Sequence, residues 1–269
     1  MRHLIRITPY FFTFFGLLIT VETFAENEFR EREGGEYTER IETAYSNGKE
    51  LEETGDFDGA LKAYSECVNL CKEATREGVL GLEGVYEYAA EAAFEVAEAE
   101  FVNYDRIRLV MPQKTMEANI SKRLELSRRL VDHYSYCIDL GIPEWTIAAK
   151  VRMGDVNYSF AEALCNAEVP PETAPDKWLH LPPDDENRLR LEEMHRNYVR
   201  ALEEQAFSLY GQALGFYADA LKIAGADNIN NEWTRRAAEM SEKAEGKSQG
   251  LRAKVLPQIE LRKFKSRGQ

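Results

Sequence analysis

Apolar residues recur along this chain at intervals of three and four, and no stretch of convincing length shows the strict alternation of a half-buried strand, so the pattern predicts helices throughout. Ala44, Gly48 and Leu51 fall on one stripe of a helix expected over Thr38 to Glu53. Gly55-Asp56-Phe57 breaks it, and Ala60, Tyr64 and Cys67 form an answering stripe on a second helix over Phe57 to Ala74. Small residues at Gly48 and Ala60 let the two axes come close, with Phe57 and Tyr64 filling the space beside them. The period returns from Val85, with Ala89, Ala93, Val96, Ala97, Phe101 and Tyr104 as a small-and-aromatic face that Met111-Pro112 ends.

A long helix follows over Lys114 to Leu140, with Met116, Ile120, Leu124, Leu130 or Val131, Tyr134 and Ile138 inward. Gly141-Ile142-Pro143 supplies a left-handed stop and a proline start for a helix over Glu144 to Ala167, so these two pair as a second hairpin. Val169 to Asp185 holds five prolines and is the longest irregular segment. Glu186 to Ala224 has neither proline nor break, and its apolar positions Leu191, Met194, Tyr198, Leu202, Leu209, Ala213, Phe216 and Ala220 describe one long bracing helix closed by Gly225. A last helix is expected over Glu232 to Glu245, with Ser248-Gln249-Gly250 as a linker. The expected fold is all-α, built of antiparallel helix hairpins with a long bracing helix near the C-terminus.

Charge changes the picture of partners. The chain has 34 Lys+Arg against 47 Asp+Glu, a formal −13, which argues against nucleic acid as a partner of the body. The last twenty residues carry six basic side chains and one Glu, so the acidity is concentrated upstream. Residues 1–25 read as a secretory signal: Arg2 and Arg6, an apolar stretch from Pro9 to Val21, then Thr23-Phe24-Ala25 as a small-x-small cut. That stretch is shorter than the ~20 apolar residues a bilayer span needs, so a soluble exported protein is expected, an uncleaved anchor being the alternative. The domain plan is a signal at 1–25, a flexible lead at 26–36, a helical domain at 37–247 and a basic, unstructured tail at 248–269. The four cysteines are read as buried small hydrophobes, or as a bridge between the Cys67/Cys71 turn and a later helix.

Two resemblances follow from these residues. Gly48, Gly55, Asp56, Phe57, Ala60 and Tyr64 make the first hairpin resemble a tetratricopeptide repeat (TPR). PEWTIAAKVRMGDVNYSFAEAL, then EVPPE, then YADALKIA, then NEWTRRAAEM look like the C-terminal part of bacterial exported TPR proteins, among them adventurous-gliding-motility proteins of myxobacteria. The resemblance implies a TPR-like α-solenoid that serves as a periplasmic scaffold or adaptor for other envelope proteins, with no activity, cofactor or metal. It also implies that the first helix lines a groove, which would turn Glu42, Tyr45, Lys49 and Glu52 toward a bound peptide.

Two further features carry candidate partner contacts. Trp178, with Leu179 and Leu181 in the proline-rich loop, is either a plug folded back on the helices or an exposed anchor. Arg262, Lys263, Lys265 and Arg267 are either a solubilising end or a docking element for an acidic surface: a second copy, or anionic polymer or lipid. No nucleophile elbow, HExxH or CxxC occurs, and His133, His180 and His195 are scattered. Gly78, Gly81 and Gly84 have neither a preceding strand nor a basic residue for a phosphate cradle. The alternative reading is a module binding a small molecule or envelope polymer in a pocket lined by Trp145, Phe160, Tyr198 or Phe216.

Overall fold

The computed structural model describes residues 34–79 and 81–267, with side chains described as far as Leu256. The expected signal and most of the lead fall outside the described residues. Seven α-helices and no strand are present among those described: α1 (34–53), α2 (Phe57–Glu77), α3 (Tyr86–Asp105), α4 (Gln113–Asp139), α5 (Pro143–Cys165), α6 (Glu186–Asp227) and α7 (Glu232–Arg267). The all-α hairpin fold is therefore the one observed. The chain divides into two compact units, Met1–Ala92 and Ala93–Gln269, with α3 contributing turns to each.

In the first unit α1 and α2 run antiparallel. Asp56 caps α2 by accepting the Gly59 N–H at 3.0 Å, and Gly78, at φ 69°, closes it in the left-handed conformation. The hairpin is held where a glycine faces a ring: a Cβ on Gly48 would stand 2.5 Å from Tyr64 Cε1. Tyr64 is buried there and gives its hydroxyl to Glu52 at 2.7 Å. Phe57, expected to fill space beside it, is instead 66% exposed, because it opens α2 before the helices meet.

In the second unit α4 runs antiparallel to α3 and α5, and α6 antiparallel to α5 and α7. Cross-helix bonds fix the directions: Tyr134 with Glu98, Tyr104 with Val156, Tyr217 with Asp155, Lys247 with Glu162. The glycine–tyrosine device recurs between α5 and α6, where a Cβ on Gly154 would lie 2.4 Å from Tyr217 Cε1. Gly141 takes the expected positive φ, 72°, and Pro143 opens α5.

Three differences from the sequence pattern have local causes. α6 runs past Gly225 to Asp227 and stops at Asn228 (φ 56°), because Ala224 still packs inward and asparagine tolerates the left-handed turn. In α4, Leu124 is 44% exposed while Arg123 is 2% exposed, the polar residue having found acceptors inside. Met194, expected inward on α6, is 48% exposed. The largest difference is α7, which passes the expected end at Glu245 and the expected linker and reaches Arg267. Ala244 and Val255 are buried, and Lys254 Nζ meets Glu203 at 2.7 Å, so the helix keeps tertiary contact beyond Gly246 and Gly250.

Gly48→Ala and Gly154→Ala are each expected to lower unfolding free energy by about 1–3 kcal/mol, since the added methyl meets a ring held on both sides. Gly211→Ala, with open space at its Cβ, should be neutral or raise stability by up to about 1 kcal/mol. Urea denaturation of the three variants measures the contrast.

Candidate functional site

The second unit contains a partly buried line of charged and phenolic groups that starts on α4 and ends on α6 and α7. Tyr134 Oη donates to Glu98 Oε1 at 2.7 Å, and Arg152 on α5 binds the other oxygen of Glu98. Arg152 Nη1 also donates to Asp155 Oδ2 at 3.0 Å. Asp155, only 3% exposed, receives Arg236 Nε on the same oxygen at 2.8 Å and the Tyr217 hydroxyl on Oδ1 at 2.9 Å. Each of the five helices of the unit therefore contributes a member, and α5 contributes two, Arg152 and Asp155. Burial pulls the Arg152 pKa down, but Glu98 and Asp155 outweigh it and hold it above its ordinary value. Burial, reinforced by Asp155, raises the Tyr217 phenol, and burial with Glu98 raises that of Tyr134, so both stay hydrogen-bond donors. The Arg152 guanidinium lies 5.0 Å from the rings of both Phe101 and Trp233, and the latter ring meets Phe94 at 5.1 Å.

A second buried guanidinium ends α3. Arg123 Nε donates to the Ile107 carbonyl at 3.0 Å, Nη2 to the Asp105 carbonyl at 3.3 Å, and Nη1 to Ser159 Oγ at 3.3 Å. These are carbonyls that the end of a helix leaves without intrahelical donors. Burial lowers the Arg123 pKa, against the opposing pull of Tyr104 and Asp105.

Above these two networks lies a groove of about 390 Å³ between α3, α5 and α7. Its walls include Phe101, Arg108, Tyr158, Glu162, Arg236 and Met240. Arg108 is exposed. Asp155 on the floor already accepts from three side chains, and Ser159 gives its hydroxyl to Asp105 at 2.5 Å. Asp155, Arg123 and Ser159 of the groove are thus each held by hydrogen bonds to neighbouring groups. Among the described residues no group of three or more His, Cys, Asp or Glu could hold a metal ion. Among the same residues no helix is long and apolar enough to cross a membrane.

The candidates from the sequence go to different places. Tyr45 stacks on Tyr88 at 4.8 Å and donates to Glu91 at 2.8 Å, and Lys49 pairs with Glu91 at 2.6 Å. Glu52 accepts from Tyr64, so these three join the helices of the first unit to one another, and Glu42 is exposed. Trp178 folds back: it is 9% exposed, donates its indole N–H to the Thr173 carbonyl at 3.2 Å and packs 6.1 Å from His195. The indole therefore packs back on the helices, while Leu179 beside it is 57% exposed. The side chains of Arg262, Lys263, Lys265 and Arg267 lie outside the described ones, though the α7 backbone extends through them.

The four rings proposed to line a ligand pocket are dispersed. Trp145 packs on Phe94 at 5.3 Å, Phe160 faces Arg123, Tyr198 donates to the Glu168 carbonyl at 2.8 Å, and Phe216 is half-buried on α6. Cys67, Cys71 and Cys137 are buried and Cys165 is exposed, and none of the four forms a disulfide. Sequence reasoning missed Glu98, Arg123, Arg152, Asp155, Tyr217 and Arg236. One signal was present: Asp155 stands one turn beyond Val151 on the inward face of α5, a carboxylate where a hydrophobe is expected.

The fold and groove define an all-α protein of antiparallel hairpins with a preformed polar groove. No family model matches the chain, and no curated protein matches it. Among solved structures it is similar to a crystal structure of a de novo designed helical repeat protein, at 16% identity over 82% of this chain and 98% of that one. The TM-score is 0.24, too low to carry weight, and the fold rests on the helices themselves.

Asp155→Ala should lower stability by about 3–5 kcal/mol by taking the shared acceptor from the largely buried Arg152 and from the Tyr217 hydroxyl, a loss read by thermal or urea unfolding. Burial pushes the Cys67 thiol up to about 12, so a thiol reagent at pH 8 should label Cys165 first in the folded chain. Cys67, Cys71 and Cys137 should react only after denaturant is added, as counted by intact-mass spectrometry.

Proposed function

We propose that this chain is a non-catalytic helical adaptor, exported to the periplasm, that holds other proteins of a cell-envelope complex. The observation that carries the reading is the groove between α3, α5 and α7, whose floor is fixed by the Asp155 and Arg123 networks while Arg108 faces outward. A groove preorganised in this way binds a partner segment without the cost of ordering its own walls. Export and membership among bacterial exported TPR proteins rest on the N-terminal pattern of residues 1–25 and on the quoted motifs, and they are part of the same proposal.

Affinity purification of the tagged full chain from crosslinked envelopes tests it. Specific protein partners are expected, with their yield reduced by Arg108→Glu at unchanged melting temperature. Recovery of no protein partner, or equal yield from the variant, would remove the groove from the account. Export is checked separately by N-terminal sequencing of the native protein, which should begin at Glu26.

A further inference from the structure

The α1–α2 hairpin keeps one side uncovered. Glu36, Glu39, Thr43 and Asn47 recur at intervals of three and four on α1, and Leu61, Ser65, Asn69 and Glu73 at intervals of four on α2, so each set runs along one side of its helix. Two hollows follow these sets, of about 670 Å³ on the first and about 440 Å³ on the second, and both include Glu66, so they adjoin. Each set extends over about 18 Å, three turns, at 1.5 Å per residue.

The lining is apolar below and acidic at the sides. Ala44, Leu61 and Leu70 supply the apolar part. Phe57 stands one turn before Leu61 on the same side of α2 and is 66% exposed, a ring left in water at the end of the hollow.

Glu36, Glu39, Glu66 and Glu73 line the hollows against two cations, Arg40 and Lys62. Among the described residues none of these four carboxylates has an ion pair or a side-chain hydrogen bond. The surroundings do not neutralise them either: residues 34–92 carry five Lys and Arg against fourteen Asp and Glu, −9. Of those five cations Lys49 is committed to Glu91 at 2.6 Å, and Arg40 lies 5.3 Å from the Tyr37 ring.

We propose that this open side of the hairpin docks a basic amphipathic helix of another protein. The apolar stripe of that helix lies on Ala44, Leu61, Leu70 and Phe57, and its Lys and Arg side chains meet the four unpaired glutamates. The apolar floor discriminates against a ligand that is only polycationic, and the glutamates against one that is only apolar or is acidic. This face belongs to the first unit and the adaptor groove to the second, and binding here is read on the purified chain, so failure of either leaves the other standing.

Fluorescence anisotropy of a labelled peptide of about 18 residues, with leucines on one helical face and lysines on the other, titrated with the full chain, tests it. Saturable binding is expected at low salt, weakening as salt rises. Glu39→Lys with Glu66→Lys should weaken it about tenfold, and Phe57→Ala severalfold. Glu172→Lys with Asp184→Lys makes the same charge change at exposed positions of the second unit and should leave binding within about twofold. Unchanged circular dichroism and melting temperature confirm that each variant is folded. Absence of binding overturns the proposal. Equal loss in the two double variants, or equal binding of a scrambled peptide of the same composition, overturns it in favour of diffuse charge. Equal binding of a peptide with glutamine in place of lysine overturns it in favour of an apolar partner. A chain that refuses the peptide and self-associates until Glu39 and Glu66 are replaced overturns it in favour of a second copy.

Discussion

The second unit depends on satisfying one buried carboxylate. Asp155 sits on the face of α5 that meets its neighbours, and a carboxylate there without partners would cost several kcal/mol. Its partners come from three directions: Arg152 from its own helix, Tyr217 from α6 and Arg236 from α7. Arg152 in turn commits Glu98 on α3, which commits Tyr134 on α4. Apolar burial is indifferent to small slips of one helix along another, but these bonds are not, so the network sets the axial register while the alanine faces supply the area.

The helices were legible because spacing of three and four is imposed by helix geometry whatever the partner. α2, α4 and α5 are found within about three residues of their expected ends, a scatter usual for helix termini. The end of α7 was not legible, since Gly246 and Gly250 have poor helix propensity and only contact with α6 through Val255 and Lys254 offsets it. Arg123 shows the complementary failure. Ranking by hydrophobicity selects Leu124 as the inward residue, yet the guanidinium enters because two carbonyls at the end of α3 and the Ser159 hydroxyl await donors. Polar burial of this kind is decided by what lies across the interface, which a single helix pattern does not contain.

The same limit applied to the candidate site. Tyr45, Lys49 and Glu52 lie on the first helix of the repeat-like hairpin, but their side chains meet Tyr88, Glu91 and Tyr64 of neighbouring helices. Trp178 was legible as an apolar residue in a proline-rich loop, and its indole N–H, bonded within that loop, explains how the ring could be buried at little cost.

Gly154 and Asp155 are adjacent in sequence, and Tyr217 answers both: its ring occupies the room left by the missing Cβ, and its hydroxyl reaches the carboxylate next door. The three positions therefore form a single packed unit. A lineage that enlarges residue 154 must shrink or displace the tyrosine, and in doing so it uncovers the aspartate. Drift at this locus is thus confined to concerted replacement, and among descendants of this chain the triplet should travel together even where the surrounding surface has diverged beyond recognition.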